Sequence, residues 1–148
     1  MNIINIIIVL SVIGCAGSRP QSLGATQGRL SDCPSSPNCC SSQSRDKNHF
    51  IAPLPYRQTL PVARKMMIDL IQGMKSAKII TITDNYIHAE FASAFFHFLD
   101  DAEFFFDEST KTIHMRSAAR TGYYDLGVNR KRLEAIKSKY RLLSERKQ

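Results

Sequence analysis

Two arginines four residues apart, Arg116 and Arg120, follow closely on a pair of adjacent aspartates, Asp100 and Asp101. A polar run containing Asp125, Asn129 and Arg130 comes next. Arginine presents a rigid fork of donors that a carboxylate or phosphate accepts in pairs. These residue types suit either recognition of an anion or a closed set of ion pairs. Upstream, His88 and Glu90 alternate with apolar residues in Tyr86-Ile87-His88-Ala89-Glu90. Histidine, glutamate and arginine on one surface can do acid–base work, or bind a metal or an anion. A metal is not expected, because His88, Glu90 and His114 on two strands do not set a coordination geometry. The chain has no Gly-x-Ser-x-Gly elbow, no phosphate-cradling glycine loop and no His-Glu-x-x-His pattern. No catalytic residue is therefore assigned, and no cofactor is expected.

The elements that must position these groups follow from hydrophobic period. Ala63, Met66, Met67, Leu70, Ile71 and Met74 recur at three- and four-residue steps, which predicts a helix over 60–74. Thr59 is placed to cap it, Pro61 fits its first turn and Gly73 lies near its end. Four strands are predicted at 78–83, 86–92, 103–107 and 112–118. Asp84-Asn85 and 108–111 supply turns. Past Gly127, Leu133, Ile136, Tyr140 and Leu143 form the apolar stripe of a basic amphipathic helix. Short connections favour antiparallel pairing, and two amphipathic helices would cover one sheet face. The expectation is a two-layer α+β domain over 33–148, with a four-stranded, mainly antiparallel sheet under two helices. If the second and fourth strands pair, Tyr86, His88, Glu90, His114 and Arg116 share one face. The 108–111 turn would bring the acidic stretch 100–108 against the arginine-bearing strand. Arg116 and Arg120 are then expected to face carboxylates of Asp100, Asp101 or Asp125, with Asn129 tying the last helix to the cluster.

The amino terminus carries a different message. Residues 6–13 are apolar except for Ser11, too short to span a bilayer but suited to a secretory signal core. Val12-Ile13-Gly14-Cys15 resembles a bacterial lipobox, in which the cysteine thiol takes the diacylglycerol. Residues 1–14 are read as a signal peptide, although they lack Lys and Arg. Cys15 is read as the lipidated residue, and the stretch to residue 32 as a flexible tether rich in Gly, Ser, Gln and Arg. The protein is thus expected to be exported and held on an envelope membrane, the outer one where the source has two. Ala16 after Cys15, in place of Asp, carries that assignment. In such a compartment cysteines tend to pair. Cys33 and Cys39 flank a proline-containing loop short enough to close. Cys40 competes for the same partner, so one thiol is left over; the expectation is a Cys33–Cys39 disulfide with Cys40 free.

The net charge is +7. It is concentrated after Gly127, where eight basic residues meet only Glu134 and Glu145. A solvated helix face explains such a run, and so does an anionic ligand or lipid headgroup surface. Nucleic acid is not expected, since an exported, anchored protein would not meet it.

Four ordered motifs carry a family resemblance: Cys33-Pro34-Ser35-Ser36-Pro37-Asn38-Cys39; Tyr86-Ile87-His88-Ala89-Glu90; Phe98-Leu99-Asp100-Asp101-Ala102-Glu103-Phe104; and Arg116-Ser117-Ala118-Ala119-Arg120 continuing through Asp125-Leu126-Gly127-Val128-Asn129-Arg130. Together they resemble the domain of unknown function 1499 family. Cys40 departs from the pattern, in which an aliphatic residue usually follows the second cysteine. The resemblance implies a shared fold and no established activity. Two functional readings stand: a non-catalytic, lipid-anchored module that binds a small anionic ligand, lipid or protein, and an envelope enzyme using the Arg/Asp/His cluster on an anionic substrate.

Overall fold

The computed structural model describes residues 17–93 and 98–146. The expected signal peptide and Cys15 lie outside these residues. In chain order the elements are β1 (Ala25–Thr26), β2 (Arg29–Leu30), β3 (Cys39–Ser41), β4 (Leu54–Pro55), α1 (Leu60–Gln72), β5 (Ala77–Ile82), β6 (Tyr86–Ala92), β7 (Leu99–Asp107), β8 (Thr112–Ala119) and α2 (Val128–Glu145). The class is α+β with two helices, as the periodicities indicate. The sheet has six strands rather than four, in the order β3-β8-β7-β6-β5, with β4 also on β8. All of its pairings between these strands are antiparallel. The added strands β3 and β4 are short and lie in proline-containing stretches, which hid them from a reading by period. A separate two-stranded ribbon, β1-β2, falls in the stretch expected as tether.

Strand β7 begins at Leu99, four residues before the expected start, so Asp100 and Asp101 belong to the sheet. It also lies between β6 and β8. The second and fourth expected strands are therefore not neighbours, although their polar residues do share a face. Alternation along these strands sends Ile87, Ala89, Phe91, Ala102, Phe104, Phe106, Ile113 and Met115 to one side. There they pack on Met66, Met67, Leu70 and Ile71 of α1 and on Leu133, Ile136 and Tyr140 of α2. Each fully buried side chain of this kind contributes about 1.5–3 kcal/mol. Pro61 lies in the first turn of α1, where its missing N–H breaks no helical bond. Thr59 stands at the helix start through its backbone, its carbonyl accepting the Ala63 amide, and its hydroxyl makes no cap.

Cys33 and Cys39 form a disulfide. The same two-residue alternation explains the choice. Cys39 and Cys40 are adjacent on β3 and point to opposite faces, opposite Ala118 and Ser117. Cys40 enters the helix-side core, 2% exposed, where an aliphatic side chain would fit equally well. Burial pushes its thiol up to about 11, which leaves it protonated and unreactive. Peptide mapping without reduction should recover Cys33 linked to Cys39. Cys40 should resist alkylation until the protein is denatured, and reduction should remove roughly 2 kcal/mol of stability. A Cys33–Cys40 link would overturn the β3 register.

Candidate functional site

The sheet face away from the helices carries Tyr86, His88 and Glu90 from β6, Asp101, Glu103 and Phe105 from β7, and His114 and Arg116 from β8. Register places Glu103 between His88 and Arg116, and Asp101 beside Glu90. Arg120 follows directly on β8, its amide bonded to the Leu99 carbonyl, which holds its side chain over the end of β7.

Arg120 grips Asp101 side-on: Nε donates to Oδ2 at 2.8 Å and Nη2 to Oδ1 at 2.6 Å. Nη2 also reaches Glu90 Oε1 at 2.5 Å. The same Glu90 oxygen accepts Nε and Nη2 of Arg19, at 3.0 and 2.6 Å. His88 Nε2 lies 2.7 Å from Asp101 Oδ1. The second half centres on Glu103, which is 0% exposed. Its Oε2 accepts Arg116 Nη1 at 2.9 Å, while its Oε1 accepts the Tyr86 hydroxyl and the Gly24 amide, each at 2.8 Å. Three guanidiniums thus meet three carboxylates, and the face is electrically closed.

Residues 19–30 cover this network. Arg19 and Gly24 bond to it, and Leu30 seals it by packing on Tyr86 and Phe105. Burial alone would raise the Asp101 pKa, but hydrogen bonds from Arg120 and His88 outweigh it and hold the carboxyl down to about 2. Glu90 is lowered in the same way, its burial overcome by Arg120 and Arg19. Burial beside Glu103 pushes the Tyr86 hydroxyl well above the ordinary phenol range. His114 stands apart from the network, stacked on Phe105 and 3.4 Å from the Ser42 hydroxyl, and burial lowers its pKa.

The remaining candidates lie on the other face. Asp100 points toward the helices and pairs with Arg132 Nη2 at 2.6 Å, not with Arg116 or Arg120. The Arg132 guanidinium sits 4.7 Å above the Phe91 ring, and its Nη1 donates to Asn129 Oδ1 at 2.6 Å and to the Ser117 hydroxyl at 3.1 Å. Burial outweighs Arg132 at Asp100, so its pKa is raised. Asp125 likewise meets neither Arg116 nor Arg120. Its carboxylate accepts the Gly127 amide and both the backbone and side-chain nitrogens of Asn129, each at 2.9 Å. It thereby satisfies one of the orphan amides at the start of α2. Asn129 does tie the last helix down, bridging Asp125, Ser117 and the Asn38 carbonyl. Arg130 donates to the carbonyls of Phe50 and Asn48 at 2.6 and 2.7 Å and belongs to neither cluster.

Sequence reasoning left out Glu103, Arg132 and Arg19. Glu103 was legible in principle, two residues from Asp101 on one strand and so on the same face. Arg132 lies three residues from Asn129 on one helix face. Arg19 carries no comparable signal, because no period links residues 17–30 to the sheet.

The chain matches the family described as protein of unknown function (DUF1499) over residues 29–139, and it belongs to that family. No curated protein and no solved structure matches it.

Removing one partner from a buried charge network leaves the other uncompensated. Arg120→Ala and Arg116→Ala should each cost about 3–5 kcal/mol in denaturant unfolding. Arg19→Ala, whose side chain is half exposed, should cost less than about 1 kcal/mol. If the first two variants unfold like wild type, the network is only a solvated surface. Acid should act in a defined window. Asp101 and Glu90 have folded pKa values below their unfolded ones, near 4. Their stabilisation is complete above about pH 4 and is lost as pH falls through the folded value, about 2 for Asp101. Asp100 has the opposite sign and softens this loss. Asp107, held to about 2 by the Ser109 and Thr110 hydroxyls, adds to it. Unfolding titrations should therefore show stability falling between about pH 4 and 2, with a shallower slope in Asp101→Asn.

Proposed function

We propose that this member of the DUF1499 family is a lipid-anchored protein of the bacterial cell envelope that serves as a non-catalytic binding module. One observation carries the non-catalytic part: the carboxylates of the cluster that could have done chemistry are taken up by arginine, histidine, tyrosine and amide donors, and of its buried side-chain polar atoms only Arg116 Nε lacks a partner among the described residues. A general base needs a free lone pair and a pKa near the working pH. Asp101 is held to about 2 and accepts from both Arg120 and His88. Glu103 is saturated by three donors and wholly buried. The Arg120 side chain is 4% exposed and is engaged by two carboxylates, so it cannot also take a ligand anion.

Room for a small ligand exists beside the network. A groove of about 610 Å³ runs between residues 19–28 and the β5–β6 hairpin, lined in part by Arg19, Asn85, Tyr86, His88 and Phe105. Arg19, with half its side chain in solvent, is the cation that an anionic ligand would meet there. The anchoring part rests on Val12-Ile13-Gly14-Cys15 after a short apolar core. Among the described residues no helix is long and apolar enough to cross a membrane. A lipidated terminus supplies the several acyl chains that stable attachment requires.

The enzyme reading keeps one supporting observation. His88 borders the groove with its Nε2 oriented by Asp101, as a general base would be held. The two readings separate in native mass spectrometry of the full chain extracted from its membrane. A binding module retains a co-purifying anion in wild type and in His88→Gln, and loses it in Arg19→Ala. An enzyme instead accumulates in His88→Gln a species that wild type has converted.

Anchoring is tested by radiolabelled fatty acid incorporation. Wild type should be labelled and Cys15→Ser should not. Equal labelling of the two overturns the anchor.

A further inference from the structure

The stretch 121–128, which covers most of the loop between β8 and α2 and the first residue of α2, exposes large apolar side chains. Tyr123, Tyr124 and Leu126 are 73%, 63% and 71% exposed, and Val128 adds to the same tip. The loop is not loose. Asp125 fastens it to the Gly127 and Asn129 amides, and Asn38 Nδ2 donates to the Gly122 carbonyl. Leu126 is held at φ 56°, a left-handed conformation that a leucine rarely adopts. A leucine kept in that conformation with its side chain in solvent is a reason to look for what it meets.

The amino-terminal end of the described chain lies at the same place. A Cβ on Gly17 would stand 3.0 Å from Arg120 Cβ and 3.1 Å from Thr121 Cγ2, at the base of this loop. Cys15 precedes Gly17 by two residues, which span at most about 7 Å. A lipid on Cys15 would therefore enter the bilayer beside Tyr123, Tyr124 and Leu126. Tyrosine, with an apolar ring and a polar tip, suits the headgroup layer. Lys131 is exposed one turn into α2, its Nζ 3.5 Å from the Leu126 carbonyl, where it would meet lipid phosphates.

We propose that the 121–128 tip is a second membrane contact, which inserts Tyr123, Tyr124 and Leu126 into the interface next to the lipid anchor. The inference rests on the anchored reading above and adds an orientation to it. The tip faces the membrane, α2 runs away from it, and the β5–β6 and β7–β8 hairpins point outward.

The chain contains no tryptophan, so one can be introduced as a sole reporter. Full-length lipidated protein carrying Tyr124→Trp would be reconstituted into phosphatidylcholine–phosphatidylglycerol vesicles with brominated acyl chains, which quench tryptophan at the depth of insertion. Ile82→Trp, at the exposed far end of the sheet beside the β5–β6 turn, is the control. The expected result is a blue-shifted, quenched Tyr124→Trp and an unquenched Ile82→Trp. Adding Leu126→Asn to Tyr124→Trp should reduce the quenching while the protein still floats with the vesicles. If the protein floats but neither tryptophan is quenched, the tip faces water or another protein, and the contact is overturned while the anchor stands. Equal quenching of both overturns the orientation. If Cys15 carries no lipid and the protein does not float, the anchored reading and this inference fail together.

Discussion

Buried charge on the outer face of the sheet constrains the rest of this structure. Glu103 and Asp101 alternate on β7, the central strand, and register leaves them beneath residues 19–30. Desolvating a carboxylate costs several kcal/mol, which only close, well-directed donors offset. The donors come from two directions. Strand β8 supplies Arg116 opposite Glu103, and Arg120 where the strand ends. The amino-terminal stretch supplies Arg19 and the Gly24 amide. The network thus fastens residues 19–30 to the sheet, and the same residues exclude the water that would otherwise weaken it.

Alternation of side chains then divides the polar residues between two faces. Asp100 and Asp101 are neighbours in the chain and serve opposite layers. Asp101 joins the outer network, while Asp100 meets Arg132 of α2 on the inner side. The inner set is smaller and more local. It joins the start of α2 to β8 through Ser117 and to the 33–39 disulfide loop through Asn38. Arg132 lies over Phe91 as well, so its charge is balanced by Asp100 on one side and by the ring face on the other. Helix α2 is seated by this polar contact at its first turn and by Leu133, Ile136 and Tyr140 farther along.

Much of this was legible in the sequence. Period 3.6 located both helices, period 2 located β5, β6 and β8 to within a residue or two, and the alternation in 86–90 put Tyr86, His88 and Glu90 on one face. What period could not supply was strand order. Without it the pairing of β6 with β8 stands only as a condition, and Glu103 on the strand between them gains no role. The expected third strand starts only at Glu103, because adjacent aspartates do not suit a strand by pattern, and charge neutralisation from Arg120 and Arg132 is what makes them tolerable there. Docking of residues 19–30 left no trace in local pattern at all. It rests on contacts far apart in the chain, Arg19–Glu90 across 71 residues and Gly24–Glu103 across 79, together with Leu30 on Tyr86 and Phe105.

Closure of the network also constrains where function can reside. A site must offer a ligand some group whose loss of water is not already compensated. On the outer face Arg120 is compensated by Asp101 and Glu90, and Glu103 by Arg116, Tyr86 and the Gly24 amide, and exposing any of them would mean displacing residues 19–30. The groove meets the network at its margin, through Arg19, Gly24, Tyr86 and His88. The buried, paired charges of the outer face fix the amino-terminal segment and the base of the 121–128 loop relative to each other. Arg120 belongs to both, since it grips Asp101 while its side-chain carbons lie against Gly17. Rigid placement of these two segments is what a protein held at a surface through its amino terminus would need. Free rotation about the anchor would otherwise present every face to that surface equally.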